Sequence, residues 1–193
     1  MTPRIALAAA LIVSTLCGSG WAQPTNQFGT EFKPGEASKY VDTRPDWEEG
    51  ESKLPAYPQP GNLIEFAVSA LSNFRFFVDA ESITAGKDGI VRYTLVARSS
   101  SGTENVSFNG LRCRTGEHKV FANGRTSDQT WVTMRDSQWR ELQPKTVTRQ
   151  HLALMRDFFC PGAVAIRSRA EGIDALRRGM HPNAISNFSN FAR

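Results

Sequence analysis

The side chains of this chain that could do chemistry are its cysteines, its histidines and a series of arginines, and their spacing limits what each can do. Of three cysteines, Cys17 lies in an apolar leader described below. That leaves Cys113 and Cys160, 47 residues apart. An even pair in an oxidising compartment reads as one disulfide, with two buried free thiols as the alternative. Without a Cys-x-x-Cys pair or a close histidine, neither a zinc site nor a cysteine nucleophile is indicated. His118, His151 and His181 are far apart in the chain, so shared zinc ligation would require the fold to gather them. The simpler expectation is three separate histidines, and neither a metal nor a cofactor is expected.

No Gly-x-Ser-x-Gly elbow, glycine-rich phosphate cradle, His-Glu-x-x-His or dinucleotide fingerprint occurs, so no catalytic residue is assigned. Paired carboxylates need only a spatial separation, which leaves hydrolysis as a third function class. Asp79, Glu81 and Asp88 are read as acids of turns. The remaining constellation is cationic. If Phe74, Phe76, Val91, Tyr93, Leu95, Leu111 and Cys113 face a core, period 2 turns Arg75, Phe77, Arg92, Thr94, Arg98, Arg112, Arg114, Lys119 and Phe121 the other way. A face of arginines interleaved with aromatics suits an anion, and Arg75, Arg92, Arg112 and Arg114 are its candidate binding residues. The competing expectation is a solvated face, or one covered by C-terminal helices and paired to them.

The elements that must position these residues are strands first and helices last. Ile64, Phe66 and Val68 alternate with polar neighbours, as do Phe74, Phe76 and Val78, giving two strands joined across Ser69 to Asn73. Gly86 to Gly89 is a turn, Ile90 to Arg98 carries the longest alternation, and Ser99 to Gly102 turns again. Glu104 to Arg114 is strand-like, with Asn109-Gly110 read as a bulge within it. Thr115-Gly116 returns the chain through His118 to Ala122. Trp131–Met134 and Trp139–Leu142 are candidate short strands. Thr148 can cap a helix over Arg149 to Phe159, with Leu152, Met155 and Phe159 on one face. Ser168 can cap a second, Arg169 to Arg178, which Gly179 ends. The order predicts an α+β fold: an antiparallel meander of five to six strands packed by one or two C-terminal helices.

Composition sets the compartment. Met1 to Ala22 has a basic tip at Arg4, an apolar stretch from Ile5 to Leu16 and small residues before Gln23, the pattern of a cleaved signal peptide. Lipidation at Cys17 is the alternative, disfavoured by the bulky Leu16 before it. The apolar stretch is too short to span a bilayer, so no transmembrane segment is expected in the mature chain. With 23 basic against 19 acidic residues the net charge is +4, too small to suggest nucleic acid. Residues 23–60 are poor in aliphatics and lack periodicity, which predicts an extended or disordered lead that folding does not need. Residues 61–182 form the domain, and 183–193 a flexible tail.

Five blocks of sequence are distinctive: Leu54-Pro55-Ala56-Tyr57-Pro58, Asn62 to Phe66, Ser72 to Asp79, Gly89 to Arg98 and Arg156-Asp157-Phe158-Phe159-Cys160-Pro161. They resemble the CNP-one-like family of exported Gram-negative proteins over roughly Trp47 to Pro182. The resemblance implies a periplasmic or envelope location and carries across no activity or site residue. More loosely, the run from Phe77 through Ser82-Ile83, a glycine turn and a cysteine-ended strand is similar in layout to surface adhesin E domains. Three function classes follow in order: a non-catalytic binding or scaffolding module with a basic sheet face, a surface binder of host or matrix ligands, and an envelope hydrolase. The partner expected for the first is an anionic envelope component or envelope protein.

Overall fold

The computed structural model describes residues 47–68, 72–143 and 146–187. The signal segment, Cys17, the start of the lead and the end of the tail lie outside the described residues.

Alternation of apolar and polar side chains produces strands where the sequence places it: β1 Leu63–Phe66, β2 Phe74–Ala85, β3 Ile90–Ser99, β4 Glu104–Arg112, β5 Glu117–Arg125 and β6 Thr130–Thr133. They pair antiparallel in chain order, and a short β7, Arg140–Glu141, pairs with the start of β5. Each connection between β2 and β5 is a short turn, which permits no other hand of pairing.

The irregularity expected at Asn109-Gly110 is present, but its extra residue lies on the partner strand. Phe108 pairs with Ala122 and Asn109 with Val120, so Phe121 is unmatched. Gly110 is needed for close approach: a Cβ there would stand 2.8 Å from the Phe121 ring and 3.0 Å from that of Trp139.

Two helices follow. α1, Arg149–Ala153, continues into a π-helical stretch, Leu154–Phe159, closed by Cys160 N–H donating to Met155 O at 2.9 Å. The wider turn rotates successive side chains. Leu154, Met155, Phe158 and Phe159 therefore face the core, while Leu152 is only half-buried. Thr148 does not cap α1; its hydroxyl donates to Gln143 O. α2, Arg169–Arg178, forms as expected. Ser168 Oγ accepts the Glu171 N–H, and Gly179 ends the helix at φ +80°, a left-handed turn that suits glycine.

Both faces of the sheet are covered. On one, Phe66, Val78, Val91, Tyr93, Leu95 and Leu111 pack against the two helices. Phe74, expected among them, is half-exposed at the margin. On the other face, Phe77, Val96 and Val106 form a second cluster with Tyr57, Leu63 and Trp131. Its cover is the lead itself. Residues 47–59 form no helix or strand, yet Trp47 Nε1 donates to Asp88 O (2.8 Å), Gly50 N to Asp88 Oδ2 (2.9 Å) and Trp131 Nε1 to Pro55 O (2.9 Å). The compact unit begins at Asp46, upstream of the boundary at 61 that composition suggests. A segment without periodicity can still close a sheet face when a few aromatics and backbone groups anchor it.

The Cys113–Cys160 disulfide is formed, with the two Cα atoms 5.2 Å apart. It ties the residue after β4 to the end of the π-helical turn.

Candidate functional site

Three of the four arginines assigned to an anion are engaged within the chain. Arg75 is paired with Glu65, Arg92 with Asp88 at 2.6 Å, and Arg112 with Glu117 at 3.0 Å. Arg98 and Lys119 follow suit with Glu104 and Glu49. The interleaved aromatics are there too, but they stack on these same cations: Arg75 and Arg98 flank Phe77, and Arg112 lies 3.8 Å over Trp47. Nor do the four converge. Arg75 pairs in register with Arg98, six residues along β3 from Arg92, which is about 20 Å of strand. Arg114 is exposed beyond the end of β4. A sheet face carrying acids on neighbouring strands neutralises its own arginines, and alternation alone does not reveal those partners.

A different cluster lies on the helix face. β5 and α1 bring His118 and His151 together with ring centroids 3.8 Å apart and planes at 27°. Tyr93 OH lies 2.7 Å from His151 Nδ1, and His118 Nε2 lies 3.1 Å from Asn109 Oδ1. The Asn109 amide nitrogen donates to Ser107 O and Oγ, so its oxygen accepts and His118 is the Nε2–H tautomer. Burial lowers His118 to about 4, and burial with the neighbouring His118 holds His151 well below its ordinary value. Burial also raises Tyr93. All three are neutral at pH 7.

That charge state decides what the cluster does. A general base must titrate near its working pH, and these imidazoles do not. One nitrogen of each ring is already engaged, and the rings face each other rather than a common ion. Among the described residues no group of three or more His, Cys, Asp or Glu side chains is placed to hold a metal. The third histidine is elsewhere: His181 Nε2 meets Glu171 Oε1 at 3.1 Å.

The stacked pair separates two cavities. His118 lines a broad groove of about 910 Å³ edged by Thr133–Gln143. His151 lines a cavity of about 500 Å³ walled by Val68, Phe74, Phe76, Leu95, Ala97 and Val147. Its polar groups include Asn105, Ser107, Arg149 and Gln150. Among the described residues no carboxylate pairs with Arg149, unlike Arg75, Arg92, Arg98 and Arg112 of the sheet. The sequence did carry one signal for the histidine pair. Turning Lys119 outward on β5 turns His118 toward the helices, and His151, Leu154 and Phe158 share the helical spacing i, i+3, i+7.

These features define a disulfide-stapled α+β domain: a meander sheet with helices on one face and its own lead segment on the other. The chain belongs to the CNP1-like family, which matches residues 42–177. It is similar to Cryptic neisserial protein 1 of Neisseria gonorrhoeae (strain ATCC 700825 / FA 1090). The two are 25% identical over 181 residues, covering 85% of this chain and 87% of that protein. No solved structure matches the chain. No helix of the described residues is long and apolar enough to cross a membrane.

Proposed function

We propose that this protein is an exported envelope module that works by binding, and that its ligand seat is the cavity beside α1. Export is supported by the signal pattern over Met1 to Ala22, by a formed disulfide and by the family's Gram-negative relative. The observation that carries the binding reading is the makeup of the cavity. Its walls combine apolar side chains with a few polar groups, its volume is in the range that holds a small organic ligand, and Arg149 stands beside it with no carboxylate partner among the described residues. The neutral His151 adds a hydrogen-bonding group without a charge. Such a lining suits an amphipathic anion, with an acyl or aromatic body inside and a carboxylate or phosphate at Arg149. The anionic envelope ligand expected from the sequence is retained, with its seat moved from the sheet face to the helix face.

The test is titration of the purified exported chain with dodecanoate and with dodecanol, followed by calorimetry. Dodecanoate should bind the more tightly, Arg149→Gln should remove that preference, and Leu95→Trp should block both by filling the cavity. Affinities unchanged by either substitution would rule out this seat.

A further inference from the structure

On the opposite face of the sheet, Asp79 is 3% exposed in the middle of β2. It pairs with Thr94, after which β2 carries three additional residues before pairing resumes at Thr84 and Arg92. Ser82 closes that bulge. Its hydroxyl donates to Asp79 O and accepts the Thr94 N–H, both at 2.7 Å. The backbone is thus served by Ser82, and the bulge leaves the Asp79 carboxyl free to point elsewhere, a common use of bulges.

The carboxyl is poorly served in return. Its Oδ1 accepts the Glu81 N–H at 3.3 Å, and among the described residues no other donor reaches it. Burial is the largest influence on it and raises its pKa; the hydrogen bond from the Glu81 N–H and the charge of Arg169 oppose the rise, and the Glu81 carboxylate adds to it. Thr94 Oγ1, on the residue paired with Asp79, is buried with no hydrogen-bond partner among the described residues. A carboxylate removed from water with one long hydrogen bond is unfavourable. Here it lines a cavity of about 300 Å³ between β2 and the lead, with Leu54, Pro55, Tyr57 and Phe108 among its walls. Arg169 and Lys53 also line this cavity, but among the described residues neither bonds the Asp79 carboxyl. Arg169 bonds Glu81 at 2.9 Å and the Ile83 carbonyl, and Lys53 is exposed beside Glu51.

We propose that the Asp79 cavity is a second binding site, independent of the one beside α1, and that it takes a small primary ammonium. An ammonium supplies the charge and the N–H donors that Asp79 lacks, and three rotatable donors suit a site with more than one unserved acceptor. The cavity is at the small end of ligand sites, which excludes a bulky cation.

The experiment is carboxyl-carbon NMR of the full exported chain, titrated at constant ionic strength with ethanolammonium, and with tetramethylammonium as a cation without N–H donors. Ethanolammonium should displace the Asp79 carboxyl resonance saturably and move its titration to lower pH, while tetramethylammonium leaves both in place. Asp79→Asn should weaken binding by about tenfold or more, and Glu81→Gln should retain it. The proposal is overturned if neither ethanolammonium nor methylammonium moves the Asp79 signal, or if Asp79→Asn binds as well as the parent. Should Asp79→Asn fold poorly, the carboxyl signal of the unmodified chain decides alone.

Discussion

Arg92 Nη2 meets Asp88 Oδ2 at 2.6 Å with both side chains more than nine-tenths covered, and both ends of the pair hold the lead. Asp88 also accepts the N–H groups of Gly50 and Ile90, and Arg92 donates to Gly50 O. An arginine placed by alternation on an open binding face is thus the buried clasp between the sheet and the segment covering it.

Arg92→Ala should therefore act on stability, although an open face would let it be replaced without cost. It strands the Asp88 carboxylate under the lead, and removing one member of a buried pair costs about 3 to 5 kcal/mol. Urea unfolding of the single variants and of Arg92→Met with Asp88→Leu would check this. The double variant should recover much of the loss.

The lead gives a second expectation. A chain starting at Asp46 should fold like the parent, whereas one starting at Gly61 uncovers Val96, Val106 and Phe108 and loses the Trp47 stack on Arg112. At about 1.5 to 3 kcal/mol per large apolar side chain, the shorter chain should be less stable by about 3 kcal/mol or more. Thermal unfolding of both would decide; equal midpoints would show the lead to be dispensable.

Acid should destabilise the domain through the histidine pair. Unfolded imidazoles titrate near 6.5, whereas folded His118 does so at about 4 and His151 well below its ordinary value. Between those values the unfolded chain binds more protons. This contribution is therefore complete above about pH 6.5 and is lost as pH falls toward 4. His118 alone supplies up to about 3 kcal/mol of that slope. His118→Phe should flatten the curve of unfolding free energy against pH over this window.

Asp79 has the opposite sign. Its folded pKa is raised, so the folded chain holds the proton more tightly, and its contribution is present below the ordinary carboxylate range and lost as pH rises. Asp79→Asn should raise the melting temperature at pH 7, with the gain vanishing in acid. A melting temperature lowered equally at both pH values would contradict this.

Reduction of Cys113–Cys160, or its replacement by serines, should cost about 2 to 5 kcal/mol, the usual range for a disulfide of a small secreted domain. Non-reducing peptide mapping should recover the two cysteines joined, and two alkylatable thiols in the native protein would count against the bond.

Much of this architecture was legible because it is written in local chemistry. Period-2 runs marked β1 to β5, Thr115-Gly116 marked the β4–β5 turn, and Ser168 with Gly179 bounded α2. The pair Cys113 and Cys160 suggested the disulfide. Each signal depends on neighbours a few residues apart. Which groups covered the sheet could not be read that way. Trp47 bonds Asp88 across 41 residues, and Lys119 bonds Glu49 across 70; no periodicity links such partners. The π-helical turn, the bulge that frees Asp79 and the stack of His118 on His151 likewise arise only when α1, β2 and β5 are packed. Alternation determines which side of a strand a residue occupies. Whether that side meets water, an acid of the same chain or a ligand is decided by what the tertiary fold lays over it.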